Sequence, residues 1–93
     1  MRLRQRRTDA NQPEIVKALR KAGAFVQSLH AVGNGCPDVL VVRGDRMILL
    51  EIKDGSKPPS ARSLTTAESD WHKLAGGHVR IVENVEQALE AIA

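Results

Sequence analysis

Apolar residues recur at two different periods along this chain of 93 residues, and the change of period divides it into elements. Ile15, Ala18, Leu19 and Ala22 lie at helical spacing, with Lys17, Arg20 and Lys21 on the other side. This predicts a first helix that opens at Asn11-Gln12-Pro13-Glu14 and stops at Gly23. Asn11 is its N-cap candidate, and Glu14, three residues on, suits a capping box. Ala24 to His30 then alternates as a strand, with Phe25, Gln27 and Leu29 on one face and Val26 and Ser28 on the other. The glycine-containing stretch from Ala31 to Cys36 reads as a turn, where Gly33 and Gly35 let the chain bend sharply before the next strand.

Two apolar, β-favouring runs follow, Asp38 to Arg43 and Arg46 to Lys53, joined by the turn dipeptide Gly44-Asp45. After Lys53, the segment Asp54 to Ser63 has the composition of a mobile loop. Thr65-Thr66-Ala67-Glu68 is a second capping-box pattern and predicts a helix through about Leu74 that ends at Gly76-Gly77. His78 to Val82 reads as a strand. Asn84 then caps a last helix carrying Val85, Ala88, Leu89 and Ile92. The order is αβββαβ followed by a final helix. The third and fourth strands are separated by a connection long enough for a parallel crossover.

The hairpin carries the chemistry. If Arg43 pairs with Arg46, the same register sets Asp38 opposite Glu51, and the two-residue period puts Lys53 on the same face as both. Two carboxylates facing each other about 5 Å apart repel by ~3 kcal/mol at an effective dielectric near 20. A hard divalent cation offsets that repulsion, since Mg²⁺ takes one or two carboxylates and keeps water for its other positions. Lys53 suits the same place, as an ammonium can position a water or stabilise charge on a phosphate. Each residue also has a plainer reading. Asp38 is an aspartate after proline at a strand start, and Lys53 neutralises Glu51 as a surface pair, which leaves Asp38 unexplained.

Pro37-Asp38, followed after one strand-turn-strand by Glu51-Ile52-Lys53, resembles the PD-(D/E)xK nuclease superfamily. With Gly33-Asn34-Gly35-Cys36 before the hairpin and Leu64-Thr65-Thr66-Ala67-Glu68 after it, the chain is similar to the small stand-alone, phage-type members of the VRR-NUC family, from about Glu14 to Val82. The resemblance implies a restriction-endonuclease-like α/β fold with a mixed four-stranded sheet flanked by helices. It also implies a Mg²⁺- or Mn²⁺-dependent endonuclease that hydrolyses DNA phosphodiesters. In that reading Asp38, Glu51 and the Ile52 backbone carbonyl bind metal, and Lys53 orients or activates the attacking water. Glu14, alternatively a capping residue, adds a third carboxylate that supports the metal hydration shell or completes a second site.

Relatives often carry glutamine where this chain has Glu68, so an extra acid enters the neighbourhood, and His72 shares its helix face one turn on. The resemblance further implies a homodimer acting on structured DNA such as a Holliday junction or flap. The alternative is a catalytically silent DNA-binding or assembly module with the same fold.

Composition changes the picture in three places. The formal charge of +3 owes much to Arg2, Arg4, Arg6 and Arg7; without them ten basic residues face eleven acidic ones. Basicity therefore argues for DNA only through a flexible arm over residues 1–9, joined to one domain over 10–93, with Lys57 and Arg62 on the long loop as further phosphate contacts. Phe25 and Trp71 are the only aromatics, which leaves little for base stacking and makes Trp71 core or subunit interface. Cys36 is the single cysteine, which rules out an intrachain disulfide and a multi-cysteine zinc site. It reads as a small core filler. No secretory or membrane-spanning stretch appears, so a cytoplasmic protein of a bacterial host or phage is expected.

Overall fold

The computed structural model describes residues 9–93. In chain order it comprises α1 (Gln12–Lys21), β1 (Phe25–Ser28), β2 (Val39–Arg43), β3 (Arg46–Ile52), α2 (Thr66–Ala75), β4 (Val79–Val82) and α3 (Val85–Ala91). Short 3-10 turns at Pro59–Ala61 and Gly76–His78 lie before and after α2. The expected αβββαβ order with its final helix is therefore present. The arm residues Arg2, Arg4, Arg6 and Arg7 lie outside the described residues.

The four strands form one sheet in the order β1-β2-β3-β4. β1 and β3 run antiparallel to β2, while β4 runs parallel to β3, so α2 belongs to the crossover that parallel neighbours require. Arg43 pairs with Arg46 and Val39 with Leu50, as the turn at Gly44-Asp45 dictates. Gly44 has φ +60°, the sign that a type II′ hairpin demands at its first central residue.

One face of the sheet holds the core. Val26, Val39, Val41, Ile48, Leu50, Ile52 and Val82 point there, buried against Ile15 and Leu19 of α1 and Ala88 and Ala91 of α3. Glu51, Phe25 and Met47 occupy the opposite face, where Phe25 and Met47 are largely exposed and α2 covers the Glu51 end. The hairpin is also tied to the C-terminus. Arg43 donates to the Ile92 carbonyl, and Arg46 donates to the carbonyls of Ala91 and Ala93, satisfying groups that the end of a helix leaves open.

Two helix starts form as their sequences dictate. Thr65 Oγ1 accepts the Glu68 N–H and Glu68 Oε1 accepts the Thr65 N–H, a complete capping box, while Asn84 accepts the Gln87 N–H. The third start corrects an expectation. Asn11 makes no cap hydrogen bond and has helical backbone angles; its amide instead donates to the carbonyls of Lys53 and Glu83 at 3.1 Å each. Long-range partners at the ends of β3 and β4 win over the local cap. β1 is also shorter than the alternation over Ala24 to His30 suggested, ending at Ser28.

The long connection after β3 is extensively hydrogen-bonded. Ser56 folds back on Asp54, the Gly55 N–H donates to the Glu83 carbonyl, and Arg62 bonds both Glu83 and the Lys57 carbonyl.

Candidate active site

The hairpin ladder brings the acids together at its open end. β2 begins at Val39, opposite Leu50; one residue earlier the Asp38 N–H also turns to β3, and its carboxyl meets that of Glu51. The backbone of Asp38 is held from both sides, its N–H donating to the Leu50 carbonyl and its own carbonyl accepting the Leu29 N–H. Its carboxylate turns to β3, where Oδ2 accepts the Ile52 N–H at 2.6 Å. Pro37 precedes Asp38. Proline has no N–H to offer the Ile52 carbonyl, which lies on the same strand edge as the N–H that Asp38 receives.

Glu51 is the most deeply buried acid of the site, 1% exposed. Burial foremost, then the Asp38 carboxylate and its hydrogen bond to Glu51, and then Glu68, push the Glu51 carboxyl up to about 9 against the partial counter-effect of Lys53. Lys53 Nζ stands 3.9 Å from Glu51 Oε2 and 3.0 Å from Glu68 Oε1. His72 Nε2 lies 3.4 Å from Glu51 Oε1. Burial is also the first cause that holds the His72 ring below the usual histidine range.

Asp38, Glu51 and Lys53 thus converge on one point, joined from α2 by Glu68 and His72. Glu14 is exposed and lines a neighbouring cleft of about 480 Å³ with Asn11, Asp54, Ser56 and Glu83. Lys57 lies 3.7 Å from Asp9, and Arg62 forms a 2.9 Å ion pair with Glu83, so both loop cations have acidic partners. Cys36 is buried, and Trp71 is half-buried.

A hard cation suits the donors. Two facing acids in a buried setting, one of them driven toward its neutral form by burial first and by its neighbour second, regain full charge only against a strong positive partner such as a dication. Among the described residues no three His, Cys, Asp or Glu side chains gather as a metal cage. The candidate ligands are therefore the two carboxylates and the Ile52 carbonyl, with water completing the shell as Mg²⁺ prefers.

The approach of α2 depends on a residue whose role was only half legible. Gly35, at φ +83°, lies so close to the Ala67-Glu68 peptide that a Cβ there would stand 2.3 Å from the Ala67 carbonyl oxygen. The sequence indicated a turn; it carried no sign that the turn is the seat of a helix. Asn11 was missed altogether as a site residue, because a capping pattern gives no hint of partners on distant strands.

A solved structure described as a VRR_NUC domain matches this architecture with a TM-score of 0.58, at 22% identity, covering 90% of this chain and 96% of that one. The chain has the VRR_NUC fold. No family model and no curated protein matches it. In this VRR_NUC fold the acids sit where the hairpin leaves the sheet, under the first turns of α2. The expected mixed four-stranded α/β architecture is confirmed by the match and by the strand pairing together.

Proposed function

We propose that this protein is a VRR-NUC-type, Mg²⁺- or Mn²⁺-dependent endonuclease that hydrolyses phosphodiester bonds in DNA. The observation that carries the reading is the pairing of Asp38 and Glu51, buried and adjacent, with Lys53 beside them. A buried pair of acids is costly, and the fold maintains it at the end of its central hairpin.

Asp38 and Glu51, with the Ile52 carbonyl, hold the cation. When bound, the cation supplies Lewis acidity that lowers the pKa of water and offsets phosphate charge. Lys53 orients the attacking water and donates to the phosphate as negative charge develops on it. Glu14 lies near the carbonyl end of β3 through Asn11 and supports the outer hydration. Arg2, Arg4, Arg6 and Arg7, with Lys57, contact DNA phosphates.

A domain of this size offers little surface for reading many bases, since specific interfaces bury on the order of 1,000 Å² or more. Selection by DNA shape, at a Holliday junction or flap, accords with that limit. Two copies related by a two-fold axis would present two sites to a branched substrate, and the exposed Phe25 and Met47 supply apolar surface for such pairing. We place the protein in the cytoplasm of a bacterial host or among phage-encoded enzymes, in keeping with its single buried cysteine.

One observation favours a second reading, a DNA-binding module without catalysis. Lys53 lies closer to Glu68 than to Glu51, so its ammonium is already neutralised. Incubating the protein with four-way junction, flap and linear duplex, in Mg²⁺, Mn²⁺ or EDTA, decides between them. The enzyme cuts only with metal, and Asp38→Ala and Lys53→Ala lose cleavage while retaining DNA binding. Cleavage that persists in EDTA would remove the metal mechanism, and binding without cleavage by the unaltered protein would establish the silent module.

A further inference from the structure

Helix and strand advance at different rates, and the site makes use of a near coincidence between them. Four helical residues rise about 6 Å, and two strand residues about 6.8 Å. Glu68 and His72 are four apart on α2, and Lys53 and Glu51 are two apart on β3 and its continuation. Glu68 reaches Lys53 at 3.0 Å and His72 reaches Glu51 at 3.4 Å. The pairs are nearly equal in spacing, so one rigid helix meets both side chains at once.

We infer that α2 is the positioning helix of this site: Glu68 fixes the Lys53 ammonium and His72 fixes the Glu51 carboxyl, at a depth set by Gly35. Glu68 is itself fixed, because the oxygen that faces Lys53 also accepts the Thr65 N–H at 2.9 Å. Its carboxylate is thereby part of the helix's own first turn. His72 stands one turn later, its side chain 15% exposed, with little freedom to leave Glu51. Gly35 contacts the Ala67-Glu68 peptide directly, so the loop that leads into Asp38 also locates the helix that holds the other two residues.

The catalytic consequence rests on the nuclease reading; the clamp itself does not. Neither Glu68 nor His72 is assigned a contact with the reacting atoms. They act through Lys53 and Glu51, so their effects separate. Loss of Glu68 frees Lys53 and lowers kcat at little change in KM. Loss of His72 loosens a ligand and weakens metal binding by about tenfold, as removal of a partner behind a ligand commonly does.

The test uses the full chain and the variants Glu68→Ala, Glu68→Gln, His72→Ala and His72→Gln. Glu68→Gln keeps both acceptor roles of Oε1, and His72→Gln keeps a nitrogen donor, so each conservative variant should recover most of what alanine loses. Trace labelling of lysine amines, read by mass spectrometry, should show Lys53 labelled several-fold faster in Glu68→Ala and unchanged in His72→Ala. Mn²⁺ titration should show the reverse pattern, weakened binding in His72→Ala. Equal Lys53 labelling in Glu68→Ala and the unaltered protein would overturn the Glu68 half, and equal Mn²⁺ affinity in His72→Ala would overturn the other.

If the unaltered protein binds no Mn²⁺ and cuts no DNA, the nuclease reading fails on its own. The clamp is then judged by lysine labelling and by urea unfolding of the His72→Ala, Glu51→Gln double-mutant cycle. Additive midpoints there would reject the His72 contact, and coupled ones would sustain it.

Discussion

Asp38 extends the β2–β3 ladder with its side chain, Oδ2 accepting the Ile52 N–H at 2.6 Å beyond the last backbone pair, Val39 with Leu50. The same carboxylate abuts Glu51, so it has a structural and an electrostatic task, and substitution separates them. Asp38→Asn retains an oxygen for the Ile52 N–H and removes the charge. Asp38→Ala leaves that buried N–H unpaired, at a cost of about 1–3 kcal/mol. Urea unfolding should therefore find Asp38→Ala the less stable of the two, while both lose Mn²⁺ binding and cleavage. Equal stability of the two variants would deny the hydrogen bond any weight in the fold.

Glu51 makes stability depend on pH in a direction opposite to that of an ordinary paired carboxylate. Its carboxyl, normally near 4.5, is pushed up to about 9 in the fold, so between those values the native state holds a proton that the unfolded chain has released. Stability falls wherever the native state binds more protons and pH rises. In EDTA the urea midpoint should decline from about pH 5 to about pH 9. Glu51→Gln, which carries no proton to lose, should flatten that decline and be the more stable protein at pH 8. A cation must displace the same proton, so Mn²⁺ affinity should strengthen with pH across this window. A Glu51→Gln profile parallel to that of the unaltered protein would contradict both expectations.

Gly35 combines a positive φ of +83° with a place against the α2 backbone. Alanine there meets two penalties, a left-handed conformation and a Cβ that overlaps a carbonyl oxygen, and overpacking alone costs about 1–3 kcal/mol. Gly35→Ala should lower the unfolding midpoint. Because relief requires α2 to move outward, it should also reduce cleavage at temperatures where the protein remains folded. Gly33→Ala is the control: its φ is +70° but a Cβ there meets nothing within 4 Å, so strain without displacement should spare activity. Equal loss of activity in both would remove the seat of α2 as the cause.

The fold and the meeting of the two hairpin acids were legible because they follow from local rules. Gly44-Asp45 centres the hairpin, the centre fixes the register, and the register pairs Val39 with Leu50, the residues next to the two acids. Thr65 and Glu68 announced the start of α2 by the spacing that a capping box needs. What stayed hidden was long-range. Glu68 spends the same oxygen on its cap and on Lys53, a sharing that no spacing reveals. Glu14 sits at a capping distance from Asn11 in sequence, yet lines an exposed cleft, because where a first-turn residue points depends on how the helix rotates on the sheet.

Asn11 gives the sharpest separation of a local from a distant role. Its amide donates to the carbonyls of Lys53 and Glu83, closing the ends of β3 and β4 against the start of α1. As an N-cap it would tolerate aspartate, which caps as well as asparagine. As a clamp it would not, because a carboxylate has no proton to give and faces two carbonyl oxygens. Asn11→Ala should cost about 2 kcal/mol for two hydrogen bonds of about 1 kcal/mol each, and Asn11→Asp should cost more at neutral pH. Acidification should return part of the loss to Asn11→Asp alone, since a protonated carboxyl can donate to one of the two carbonyls. Thermal unfolding of the three proteins at pH 4.5 and pH 7.5 would resolve this, and aspartate as stable as asparagine at both values would restore the cap. Lys53 follows directly on β3, so a loosened strand end also predicts slower cleavage in Asn11→Ala, with the Asp38 and Glu51 carboxyls left in place.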